Sequence, residues 1–163
     1  MTLLVGNKGC FAVEVGEWSG GLRRVDVYAA GQWLTCDDNM AYVQQLRWSV
    51  QHDRDRLDSI NYLPPPLSGL PPATVHRQLW VSDDGLREQW PFLQSGPTTD
   101  NVLALLFRDG DRLVITAEFW REEHLRRHPE DVGAVFVAEI DAEELSGVLQ
   151  SVVAALGPDP ISP

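Results

Sequence analysis

His124 and His128 stand four residues apart, so on a helix they share one face, the spacing at which two imidazoles can grip a metal ion. The surrounding residues argue against that chemistry. Zincins carry glutamate directly after the first histidine, and here that position is Leu125, while Arg126 and Arg127 add positive charge between the two rings. The pair is therefore read as two solvent-exposed histidines, and neither a metal nor a cofactor is assigned.

Carboxylates occur in adjacent pairs at Asp37-Asp38, Asp83-Asp84, Glu122-Glu123 and Glu143-Glu144. General acid–base work needs one raised and one ordinary pKa, and burial and neighbours set these rather than adjacency. Turns and helix caps account for most of the pairs, leaving Asp37 and Asp38 as the candidates to keep. No serine sits in a Gly-x-Ser-x-Gly elbow, and neither Cys10 nor Cys36 has a sequence neighbour that would depress its pKa. The glycines of residues 16–21 lack the Lys-Ser/Thr ending of a phosphate loop and read as a hairpin tip. No catalytic residue emerges, and the balance falls against an enzyme.

The elements that would position these groups can be read from periodicity. Residues 10–35 alternate as strands do, with Phe11, Val13 and Val15 on one face and Val25 and Val27 on another, which predicts a β-hairpin. A short third strand is expected over 32–35. Asp37, Asp38 and Asn39 then offer N-cap side chains to a helix extended over 40–57. The stretch LPPPLSGLPPA (63–73) excludes helix and central strand, because five prolines remove amide donors and fix φ. After it come a short strand near 79–81, a turn at 82–85, and a brief helix or loop reaching Trp90-Pro91-Phe92. Strand 102–107, a glycine turn at 108–112 and a partner strand with Leu113, Ile115, Ala117 and Phe119 on one face make a second hairpin. A polar insert (121–131), a strand over 134–140 and a final helix follow. Asp141 and Glu144 form a capping box for that helix, and Leu145, Val148, Leu149, Val152, Val153 and Leu156 make its apolar stripe.

The order implies an α+β fold, a mostly antiparallel sheet of about six strands with two amphipathic helices on one face. It resembles a duplicated β-β-β-α unit, although the halves share no residue-level similarity. With 163 residues the chain suits a single domain (1–163), its sub-halves at about 1–62 and 74–157 joined by the proline-rich connector 63–73.

Six tryptophans (18, 33, 48, 80, 90 and 120) are the unusual feature, and core is the default reading for each. Trp48 departs from it. With Val43 at zero on a wheel of about 100° per residue, Leu46, Val50 and Leu57 cluster near about 330°, whereas Trp48 falls near about 140°. Around it stand Gln44, Gln45, His52 and Asp55, an aromatic platform ringed by hydrogen-bonding groups, the composition of an interface hot spot. Arg54 lies within the apolar stripe and is expected to pair with a buried acid or to mark where the helix leaves the core.

Charge narrows the partner class. The net charge is −11, and residues 129–163 hold seven acids (Glu130, Asp131, Glu139, Asp141, Glu143, Glu144 and Asp159) and no Lys or Arg. Nucleic acid and anionic membranes need a basic surface, so both are excluded as partners. An acidic field draws cationic partners and quickens their encounter. The N-terminus lacks the basic start and long apolar run of a signal peptide, and no window approaches a membrane span. Two cysteines are read as reduced thiols of a cytoplasmic protein.

The run GQWLTCDDNMAYVQQL (31–46), together with small size, acidity and hairpins closed by helices, resembles small bacterial immunity proteins of polymorphic toxin systems. The resemblance implies a non-enzymatic inhibitor that blocks a basic toxin by acidic surface complementarity. The contact residues expected on this reading are Trp48, His52, Asp55, Gln44, Gln45, Asp37, Asp38, Glu143 and Glu144. Two other classes stay open. One is a small-molecule-binding or enzymatic domain with a Trp-lined cavity and Asp37, Asp38 or His52 at its mouth; the other is a homodimeric structural subunit.

Overall fold

In the computed structural model, which describes residues 2–83 and 85–158, the alternating segment 10–35 forms the hairpin that its pattern predicts. Strands β2 (Phe11–Ser19) and β3 (Leu22–Ala29) pair antiparallel, setting Phe11 opposite Ala29, Val13 opposite Val27 and Val15 opposite Val25, all six buried. A short apolar run forms β1 (Leu3–Asn7), an unpredicted strand on the free edge of β2. Both β4 (Gln32–Trp33) and β5 (Met40–Ala41) pair with β3, completing a five-stranded sheet.

A second sheet of three strands is made by β6 (Val102–Asp109), β7 (Arg112–Phe119) and β8 (Phe136–Ile140) in that order, all antiparallel. Asp109 pairs with Arg112, so Gly110 and Asp111 are the two-residue turn, and Gly110 takes the positive φ (62°) that such turns require. The outer edge of β6 is covered by the Trp90–Phe92 stretch, where Phe92 N–H donates to Ala104 O and Leu106 N–H to Trp90 O. Trp90 and Phe92 are buried there, and the Phe92 ring meets Phe11 at 5.5 Å, joining the two sheets in one core.

Among the described residues four helices, not two, complete the fold, and two sheets replace the single one expected. Helix α1 (Val43–Asp55) is shorter than 40–57 because Met40–Ala41 is drawn into β5. Its N-cap is Tyr42, and no side chain caps it; Asp38 instead accepts the Met40 N–H at 3.0 Å. Helix α2 (Pro72–Val81) overturns the strand near 79–81 and takes in the last two residues of the connector, whose residues 63–71 stay free of helix. Pro71 precedes it and Pro72 opens it, where a missing N–H is harmless, and Val75, His76 and Leu79 turn one buried face onto β7 and β8. The polar insert holds α3 (Glu122–Arg127).

Helix α4 (Ala142–Leu156) packs on β1, β2 and α1. Its predicted stripe is buried at Leu145, Val148, Leu149, Val152 and Leu156, but Asp141 makes no capping hydrogen bond. Magnitudes explain why the helix stands without its box: five buried aliphatic side chains at about 1.5–3 kcal/mol each outweigh a cap of about 1 kcal/mol. Among the described residues no helix is long and apolar enough to cross a membrane. Asp84 and Asp159, acids of the turn and of the acidic C-terminal stretch, lie outside the described residues.

Candidate functional site

Beyond β4 the chain turns under α3 and brings Cys36 and Asp37 against His124. This histidine is 2% exposed, a correction to the exposed position expected from its polar neighbourhood. Its ring lies flat on Phe119 of β7 (centroids 3.9 Å apart, planes 13°), so the apolar face of the hairpin covers one side of the imidazole. The ring edges are both taken by acids. Nδ1 meets Asp37 Oδ2 at 2.7 Å and Nε2 meets Asp131 Oδ2 at 2.7 Å. Carboxylate oxygens thus face both ring nitrogens.

Asp37 is the hub of the cluster. Its Oδ2 also accepts from Asn101 Nδ2 at 2.8 Å, and its Oδ1 accepts from Arg127 at 2.9 Å. Burial works against the charge of Asp37, but the hydrogen bonds from Asn101 and His124, with the charges of His124 and Arg127, overcome it and hold the carboxyl below its ordinary range. Asp37 is thus an anchored carboxylate, not a raised acid partner for Asp38, and the Asp37–Asp38 dyad weighed from the sequence has no chemical basis here. Cys36 Sγ lies 3.8 Å from His124 Nδ1. Burial, and then the charge of Asp37, push its thiol up to about 11. A Cys–His–Asp trio in this form is not a nucleophile: the thiol keeps its proton, and Asp37 already occupies the nitrogen that would have to accept it. A cavity of about 240 Å³, lined by Asp37, Asp38, Asn101, Arg121, His124 and Arg127 among others, opens beside the cluster.

No family model and no curated protein matches the sequence. The structure is similar to the crystal structure of CdiI from Burkholderia dolosa AUO158, with a TM-score of 0.66 over 94% of this chain and 99% of that one, at 12% identity. The two chains share a fold.

On this CdiI-like fold the residues expected to bind a partner fall into four places. Trp48 is 68% exposed and stacks on His52 (5.3 Å, 7°), and with Gln44, Asp55, Arg47, Gln51 and Val153 of α4 it lines a groove of about 500 Å³. Gln45 is exposed but leans over Gly96 on the far side of α1. Asp37 and Asp38 belong to the His124 cavity, and Glu143 and Glu144 stand exposed on the first turn of α4. The wheel is right about Val43, Leu46 and Val50, yet Ser49 and Asp53 are buried beside them. Arg54 donates to Gln150 at 3.3 Å and pairs with no buried acid among the described residues.

Core was the default for every tryptophan, and only Trp90 among them is fully buried; Trp18, Trp33, Trp48 and Trp120 are exposed. Trp80 and Trp120 face a larger cavity of about 720 Å³ shared with Arg87, Glu88, Pro91, Gln94 and Leu103. Sequence reasoning missed the His124 cluster because its members come from residues 36, 37, 101, 124 and 131.

Proposed function

We propose that the protein is a non-enzymatic inhibitor of the immunity kind, which binds and neutralises a basic partner protein through acidic surface complementarity. The observation that carries this reading is the likeness of fold to CdiI, an immunity protein of a contact-dependent inhibition toxin system, across nearly the full length of both chains. Charge supports it, since residues 129–163 carry seven acids and no Lys or Arg, and Glu139, Glu143 and Glu144 of the last strand and helix reach solvent. The exposed Trp48–His52 stack supplies what charge cannot, a rigid aromatic surface for the centre of an interface. Charges steer the encounter and the tryptophan slows dissociation.

The test is binding to the product of the adjacent gene, with toxicity of that product measured in cells with and without this chain. Binding that weakens steeply from low to high salt, together with rescue of growth, is expected. An indifferent neighbour, or binding insensitive to salt, would overturn the reading.

A second reading draws on the cavity between Trp80 and Trp120, whose about 720 Å³ exceeds the ~300 Å³ at which small-molecule sites begin. The Nε1 of Trp80 is buried, without a hydrogen-bond partner among the described residues. A ligand that quenches tryptophan fluorescence in the native chain and not in Trp80→Phe would favour it.

A further inference from the structure

We propose that Cys36, Asp37 and His124 form a binding site for a zinc-type divalent cation, with Asp131 orienting the histidine from behind and water in the remaining position. One atom of each residue, Sγ, a carboxylate oxygen and a ring nitrogen, lies within 4.8 Å of the other two. The spacing suits a tetrahedral ion. With Zn–S at about 2.3 Å and Zn–N at about 2.0–2.1 Å, the sulfur-to-nitrogen edge of a tetrahedron is about 3.6 Å, and Cys36 Sγ to His124 Nδ1 measures 3.8 Å. The oxygen-to-nitrogen edge is about 3.3 Å, so Asp37 Oδ2, now hydrogen-bonded to Nδ1 at 2.7 Å, must withdraw by about half an ångström. The ion takes the place of the Nδ1 proton and the thiol proton.

The groups behind the ligands are those that metal sites use. A ligating histidine characteristically donates its other N–H to a carboxylate, which fixes the ring and raises its basicity. Here Nε2 does so to Asp131 at 2.7 Å, and Phe119 holds the ring plane. The coordinating oxygen of Asp37 keeps the Asn101 amide at 2.8 Å, and Arg127 holds the other oxygen at 2.9 Å, so the carboxylate can coordinate through one oxygen only. A thiolate, an imidazole and one carboxylate select zinc or its cobalt analogue over the oxygen-seeking magnesium and calcium. Two ligand charges match a divalent ion, and the cavity of about 240 Å³ that Asp37 and His124 line gives water an approach to the site. This is not the His124–His128 pair weighed from the sequence: the Nδ1 of His128 faces Glu130 at 3.4 Å. The site would join the strand half of the chain to α3, and it stands apart from the inhibitor reading.

The experiment is titration of the chelator-treated full chain with Co²⁺, followed by absorption. A saturable thiolate-to-cobalt charge-transfer band is expected, with a tetrahedral d–d envelope, both erased by Zn²⁺. Cys36→Ser, which keeps the side-chain shape, should remove the charge-transfer band with the far-UV circular dichroism unchanged. Cys10→Ser should leave the band in place. Asp131→Asn should weaken cobalt binding by about 10–100-fold. The proposal is overturned if the native chain gives no charge-transfer band, or if the band survives in folded Cys36→Ser. An unchanged affinity in Asp131→Asn would overturn the role given to Asp131.

Discussion

Acid should affect this protein through two buried groups that pull in opposite directions, and separating them tests the electrostatics of the core. His76 of α2 is fully buried, with Nδ1 at 2.7 Å from Thr116 Oγ1 and Nε2 at 3.2 Å from Glu118. Its neutral ring satisfies both partners, accepting from the hydroxyl at Nδ1 and donating to the carboxylate from Nε2. Burial, with the nearby charge of Arg77, lowers its pKa from the ordinary 6.5 to about 4. A lowered histidine contributes stability that is present above 6.5 and lost as pH falls towards 4, which amounts to ~3 kcal/mol by linkage. Asp53 of α1 is also buried and accepts the Leu93 N–H at 3.3 Å. Burial, only partly offset by Arg56, raises it from 3.8 to about 6. A raised carboxyl has the opposite sign: its contribution is present below 3.8 and lost as pH rises through 6, so acidification gains ~2 kcal/mol. The native chain should therefore show little slope from these two groups between pH ~7 and ~4, the effects nearly cancelling. The assay is urea unfolding at several pH values across that window. Asp53→Asn should expose the acid loss of His76, and His76→Gln should leave a chain that gains relative to the native one as pH falls. If the His76→Gln and native curves run parallel with pH, the assignment of a suppressed histidine is wrong.

The remaining predictions are simpler. Trp48→Ala should change unfolding stability by less than about 1 kcal/mol, because the ring is mostly in solvent, yet it should weaken binding to a cognate partner by about 2 kcal/mol or more, read by calorimetry. Trp90→Ala, a fully buried ring beside the edge of β6, should lose about 3–5 kcal/mol in the same unfolding assay. Gly6→Ala should lose about 1–3 kcal/mol, since φ there is 89° and a Cβ would run into the Phe11 carbonyl oxygen. Alkylation of metal-free chain near neutral pH should be slower at Cys36 than at an ordinary exposed thiol by on the order of a hundredfold, as expected for a thiol pushed up to about 11; mass mapping of the modified peptide checks it.

Much of the architecture was legible because it is written in short periods. The alternation of Phe11, Val13 and Val15, the glycine of the Asp109–Arg112 turn and the α4 stripe all depend on neighbours within a few residues, and each became the predicted element. Where local signals were ambiguous the reading failed. A run as short as Leu79 to Val81 fits either period, and the prolines ahead of it looked like a barrier although one of them opens α2. Asp37 and Asp38 looked like caps because their chemistry suits one, but β5 took the residues that would have begun the helix.

By itself the sequence determined the acidity, the absence of a local catalytic signature, the hairpins and the outward direction of Trp48, since each follows from composition or from a repeat of two or 3.6 residues. Only the tertiary structure decided that there are two sheets, that His124 is buried, and that its partners lie 87 residues before it and seven after. The physical reason is distance along the chain. Packing of β7 beneath α3 puts Phe119 under the imidazole and the strand half beside it, and no local pattern encodes contacts made by elements so far apart.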